Sequence, residues 1–143
     1  MADILEPPIL LSHDTRSGVD FLRDKLEECR AKHFWCRPQQ SSSAVYPSRI
    51  LDIGESVDSL VRLRDAQNLD DQGPYICLSH CWGKKQPIML TKETSSILQD
   101  GIPVSALPKT FQDAVFVTHM LRIQFLWIDS LYVNADLMNL SYS

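Results

Sequence analysis

Tyr75-Ile-Cys-Leu-Ser-His-Cys-Trp-Gly83, Leu107-Pro-Lys-Thr-Phe-Gln-Asp-Ala-Val115 and Phe125-Leu-Trp-Ile-Asp-Ser-Leu131 decide the fold of this chain. The first and last open on continuous apolar runs, Tyr75 to Leu78 and Phe125 to Ile128, which suit strands buried on both faces. Between them, about Pro108 to Arg122 reads as a helix. Proline fits a first turn, Thr110 with Asp113 resembles a capping box, and Phe111, Ala114, Val115, Thr118 and Leu121 line one face. Strand, helix and strand imply a parallel pair with a right-handed crossover, hence an α/β fold.

Residues 1–17 read as an irregular leader, broken by Pro7-Pro8. Residues 18–45 read as a helix and a Ser-rich linker. Val19, Leu22, Leu26, Cys29, His33 and Cys36 recur at steps of three and four, Glu28 and Lys32 make a favourable pair, and Pro38 closes the helix. Arg49 to Gly54 and Leu60 to Arg64 read as short strands, and Ile88 to Leu90 as another. Thr91 to Asp100 reads as a short helix closed by Gly101.

At 143 residues, with 44% hydrophobic and 22% charged side chains, the composition is that of one globular domain. A formal charge of −4 and the lack of any basic run argue against nucleic acid and anionic membranes as partners. The acidic, proline-interrupted start is no secretory signal, and no window holds the roughly 18 apolar residues of a membrane helix. A cytoplasmic protein with reduced cysteines is the expectation.

Both apolar runs end in polar clusters, where ligands gather in open parallel sheets. Ser79, His80, Trp82, Gly83, Asp129 and Ser130 are therefore the candidate site. The structural alternative is that Gly83 permits a turn, Trp82 packs and Asp129 caps a loop. A Ser79, His80, Asp129 triad is disfavoured, because neighbours on a strand point to opposite faces and the flanking glycines of a nucleophile elbow are absent. Cys29, His33 and Cys36 share one helix face, as zinc ligands would. They also continue the Leu22 and Leu26 stripe and lack a fourth partner, so core packing is the expectation, with no metal and no cofactor. The scattered glycines match no nucleotide-binding fingerprint.

In order and spacing, the three quoted stretches with Leu90-Thr91 and Gly101-Ile102 resemble the fungal heterokaryon incompatibility (HET) domain. Pro47-Ser-Arg-Ile-Leu-Asp-Ile53 looks like the segment that precedes it, and the resemblance covers about 46–131. It implies a partial flavodoxin-like, Toll/interleukin-receptor-like sheet, and a module of non-self recognition and cell death. Its implied partners are other HET-domain proteins or a second copy. Pro108, Thr110, Asp113 and Trp127 carry structural motif positions.

Relatives of that fold that cleave NAD imply a rival, an NAD-processing enzyme with its site at the strand ends. A catalytic glutamate would have no candidate after Glu93. A third reading is a regulatory fragment that binds full-length HET proteins. After Leu131 the family pattern continues with Cys-Ile, Gln-Asp and Asp-Trp, whereas here Tyr132 opens a divergent tail, 132–143. A truncated domain, inactive alone and marginal in stability, is the resulting expectation.

Overall fold

The computed structural model describes residues 13–36, 46–56, 58–81 and 88–132. The chain falls into two compact units, Met1–Ala44 and Val45–Ser143. In the first, helix α1 spans His13–Lys32, so residues 13–17, expected to be leader, already belong to it. A 3-10 turn follows over Phe34–Cys36. Three ion pairs lace its surface: Arg23–Asp20, Lys25–Glu28 and the expected Lys32–Glu28 pair at 2.6 Å. Pro38 and the Gln39–Ala44 linker lie outside the described residues.

The second unit is α/β. Its elements are β1 (Arg49–Asp52), β2 (Arg62–Asp65), β3 (Tyr75–Leu78), α2 (Lys92–Asp100), α3 (Lys109–Met120), β4 (Phe125–Ile128) and the short α4 (Asp129–Tyr132). The four strands form one mixed sheet in the order β2-β1-β4-β3. β3 and β4 pair in parallel, Tyr75 opposite Phe125 through Leu78 opposite Ile128, as the strand–helix–strand reading requires. β1 extends the sheet antiparallel to β4, and β2 is antiparallel to β1.

The two apolar runs differ in burial. β4, between β1 and β3, buries Phe125, Leu126 and Ile128. β3 is a sheet edge among the described residues; none of its four residues is fully buried and Cys77 is exposed, against the expected two-faced burial. An edge strand has a neighbour on one side and less cover than a central one. Ile88–Leu90 is not a strand either: Leu90 is buried but makes only an isolated bridge.

Local chemistry fixes the connections. Asp52 accepts a hydrogen bond from the Gly54 amide at 3.0 Å, an Asx turn closing β1. Gly54 sits at φ +71, where a Cβ would also collide with Ser59. α2 has the capping box: Thr91 and Thr94 satisfy each other's backbone amides, and Gly101, at φ 106, closes the far end. Val61 and Ile102 then exchange backbone hydrogen bonds at 2.8 and 3.0 Å, tying that end to the strand entry.

α3 begins differently from the expectation. Pro108 occupies the cap position with no side-chain cap bond, and Thr110 is exposed. Asp113 pairs with Lys109 at 2.9 Å, one helical turn away, rather than closing a box with Thr110. Phe111, Val115 and Thr118 form the buried face, and the Thr118 hydroxyl donates to the Ala114 carbonyl at 2.7 Å. The core combines these with Leu51, Ile53, Val61, Leu63, Leu90, Leu98, Leu107, Leu126, Ile128 and Leu131. Among the described residues no helix is long and apolar enough to cross a membrane.

His119 links this core to pH. Burial holds its imidazole below the ordinary value, with a hydrogen bond to the Ile53 backbone acting against the shift. The unfolded chain therefore takes up a proton that the folded chain resists, so His119 destabilises the fold as pH falls below about 6.5. Urea midpoints should fall between pH 7 and pH 5 in the wild type, and less steeply in His119→Gln. Equal slopes would show that His119 does not contribute.

Candidate functional site

β3 ends at Leu78 and β4 at Ile128, directly opposite each other in the parallel register. The next residues on each chain segment are therefore brought together, although 49 positions separate His80 from Asp129. His80 Nδ1 lies 3.3 Å from Asp129 Oδ1 with both side chains largely covered. The approach does not reach hydrogen-bond geometry, and His80 Nδ1 has no hydrogen-bond partner among the described residues. Asp129 Oδ1 instead accepts the Ser130 amide at 2.8 Å, which fixes the carboxylate at the start of α4.

Phe111 supports the other side of His80. The two rings meet edge to face, with centroids 5.1 Å apart and planes at 89°. The first turn of α3 thus sets the imidazole while β4 sets the carboxylate. Such a pair offers polar groups to a ligand at the strand ends.

The other expected site residues divide. Ser79 is exposed, and the strand has ended before it, so the opposite-face rule no longer separates it from His80. Trp82 and Gly83 lie outside the described residues. Trp127 is half-buried in β4, opposite Cys77. Ser130 is fully buried and its hydroxyl has no hydrogen-bond partner among the described residues.

That makes Ser130 a poor ligand group and an unfavourable core group. A buried hydroxyl without a partner costs about 1–3 kcal/mol relative to an apolar isostere. Ser130→Ala should leave stability unchanged or raise it by up to about 1 kcal/mol, read from the urea midpoint. A loss above about 1 kcal/mol would mean that the hydroxyl has a partner.

A second concavity was not legible in the sequence. A cleft of about 800 Å³ opens at the amino ends of β3 and β4, opposite the His80–Asp129 pair. Asp52, Asp65, Asp70 and Asp71 outnumber Arg64 and Arg122 in its lining, so its field is acidic. Asp52 is held there by the Gln124 side-chain amide at 3.0 Å, with Arg64 3.7 Å away. Arg122 adopts φ 57, a left-handed conformation uncommon for a side-chain-bearing residue, as it turns the chain from α3 into β4. At the adjoining loop, the Tyr46 hydroxyl donates to the Gly73 carbonyl at 3.2 Å. Burial first, then Tyr75 and Asp71, push this phenol up to about 12. The polar run from Asp65 to Pro74 supplies much of the lining but carries no pattern that marks a cleft.

The Cys29, His33 and Cys36 stripe does not pack into a core. Cys29 is half-buried, while His33 and Cys36 are exposed, as is Leu22 on the same face. Periodicity placed them on one side of the helix correctly, but that side is largely open. His33 Nδ1 stands 3.3 Å from Cys29 Sγ. A hydrogen bond with Cys36, then burial, push the Cys29 thiol above its ordinary value.

No curated protein and no solved structure gives a significant match to the chain. A family model does match, over residues 75–139. It begins at the first residue of β3, later than the expected start at 46, and continues past Leu131 into residues expected to be divergent. Its description is heterokaryon incompatibility protein (HET), so the segment from β3 onward is similar to the domain of that family.

Proposed function

We propose that the chain is a signalling and interaction module of fungal non-self recognition and cell death, acting in the cytoplasm through protein contact. The HET match over residues 75–139 carries this reading. The position of β3 at a sheet edge among the described residues supports it, because a strand edge offers unpaired backbone groups to a partner. Its partners are other HET-domain proteins or a second copy, and the chain alone is inactive. Induced expression in a filamentous fungus, with and without a full-length HET-domain protein, tests this. The expected result is normal growth alone and altered growth arrest with the partner. Unchanged growth in both cases would refute the reading.

One observation favours a second reading. The His80–Asp129 pair sits at the carboxyl ends of two parallel strands, the usual ligand position of open α/β sheets. An NAD-processing activity placed there requires nicotinamide release that is lost in Asp129→Asn.

A further inference from the structure

We propose that Cys29, His33 and Cys36 form a Cys2His site for a soft divalent ion, zinc above all, with a fourth coordination position left to water or an exogenous donor. The three ligand atoms all lie within 4.8 Å of one another. Tetrahedral zinc, with metal–sulfur distances near 2.3 Å and metal–nitrogen distances near 2.0–2.1 Å, sets ligand–ligand edges of about 3.5–3.8 Å. The Cys29 Sγ to His33 Nδ1 separation is already 3.3 Å. Closing the remaining edges requires shifts of about 1 Å, within the range of ordinary side-chain rotation at an exposed position.

The backbone arranges this cluster locally. Cys29 is in the last turn of α1, and the His33 amide donates to the Cys29 carbonyl at 2.9 Å. The 3-10 turn then brings Cys36 back, its amide donating to the His33 carbonyl at 3.1 Å. All three donors therefore come from eight consecutive residues, with no long-range packing needed to assemble them. Two thiolates and an imidazole select zinc or similarly soft ions over magnesium or calcium, which prefer oxygen donors.

The exposure that contradicts a core role suits this one. A core stripe should be covered, yet Cys36 and His33 are open to solvent, as are the intervening Phe34 and Trp35 at 67% and 83%. Three protein ligands with one open position is the pattern of sites that exchange a fourth ligand. Trp35 lies between two of the ligands in sequence and offers an optical reporter.

The test is cobalt(II) titration of the reduced full-length chain, followed by zinc displacement. The expected result is one ion per chain, with thiolate-to-cobalt charge-transfer absorption, quenching of Trp35 fluorescence and complete displacement by zinc. Magnesium should produce none of these changes. Cys29→Ser, His33→Gln and Cys36→Ser should each weaken binding at least about tenfold. Cys77→Ser should not, and Trp35→Phe should remove the quenching while leaving affinity intact. Absence of the charge-transfer band in the reduced wild-type chain would overturn the proposal. So would binding that survives the Cys29→Ser, Cys36→Ser double change, or a chain whose two cysteines form a disulfide but take up no ion when reduced.

Discussion

Replacing Phe111 with alanine is expected to cost about 3–5 kcal/mol of stability and to disturb His80 at the same time. Phe111 is 1% exposed and fills the core beneath the first turn of α3, so truncation leaves a cavity that the sheet cannot fully close. Its ring also holds the His80 imidazole edge to face at 5.1 Å. The two effects are separable. Phe111→Leu keeps most of the volume and should cost less than about 1.5 kcal/mol, while still removing the aromatic contact. Urea midpoints measure the first effect and the His80 ring-proton NMR shift measures the second. If Phe111→Leu left the His80 resonance unmoved, the ring contact would not be what positions the imidazole.

Leu126→Ala should have an effect of similar size for a different reason. Leu126 is fully buried in β4, opposite Leu51 of β1 and Ile76 of β3, so its side chain lies where the parallel and antiparallel halves of the sheet meet. Removing it should cost about 2–5 kcal/mol, a large share of the 5–15 kcal/mol typical of a whole domain. The corresponding change in the edge strand, Ile76→Ala, should cost less, because Ile76 is only partly buried. Equal losses at the two positions would contradict the assignment of β4 as the centre of the sheet and β3 as its edge.

That contrast marks how far the sequence could be read. Tyr75 to Leu78 and Phe125 to Ile128 are both short apolar runs, and both were legible as strands in a parallel pair. Which of them is central depends on β1 inserting beside β4, a long-range pairing that leaves no local trace. The His80–Asp129 meeting was legible only as two polar strand ends. Their 3.3 Å separation follows from the parallel register and from Phe111 holding the ring.

Local patterns also misled where two structures share one period. Thr110 and Asp113 carry the spacing of a capping box, but Pro108 takes the cap position and Asp113 turns to Lys109. The box that does form, Thr91 with Thr94, has threonine where the usual pattern has an acid or amide. Cys29, His33 and Cys36 follow the same 3.6-residue repeat as a core stripe, and periodicity alone cannot say whether that face is covered. Exposure decides, and it makes the three residues a cluster of donors rather than packing.

Incubating the purified reduced chain with NAD and following nicotinamide release decides whether the segment that matches the HET model works by contact or by chemistry. No turnover above the uncatalysed background is expected, and no difference between the wild type and Asp129→Asn. Sustained release by the wild type, abolished in Asp129→Asn and reduced in Phe111→Leu, would contradict that and assign the His80–Asp129 pair to catalysis.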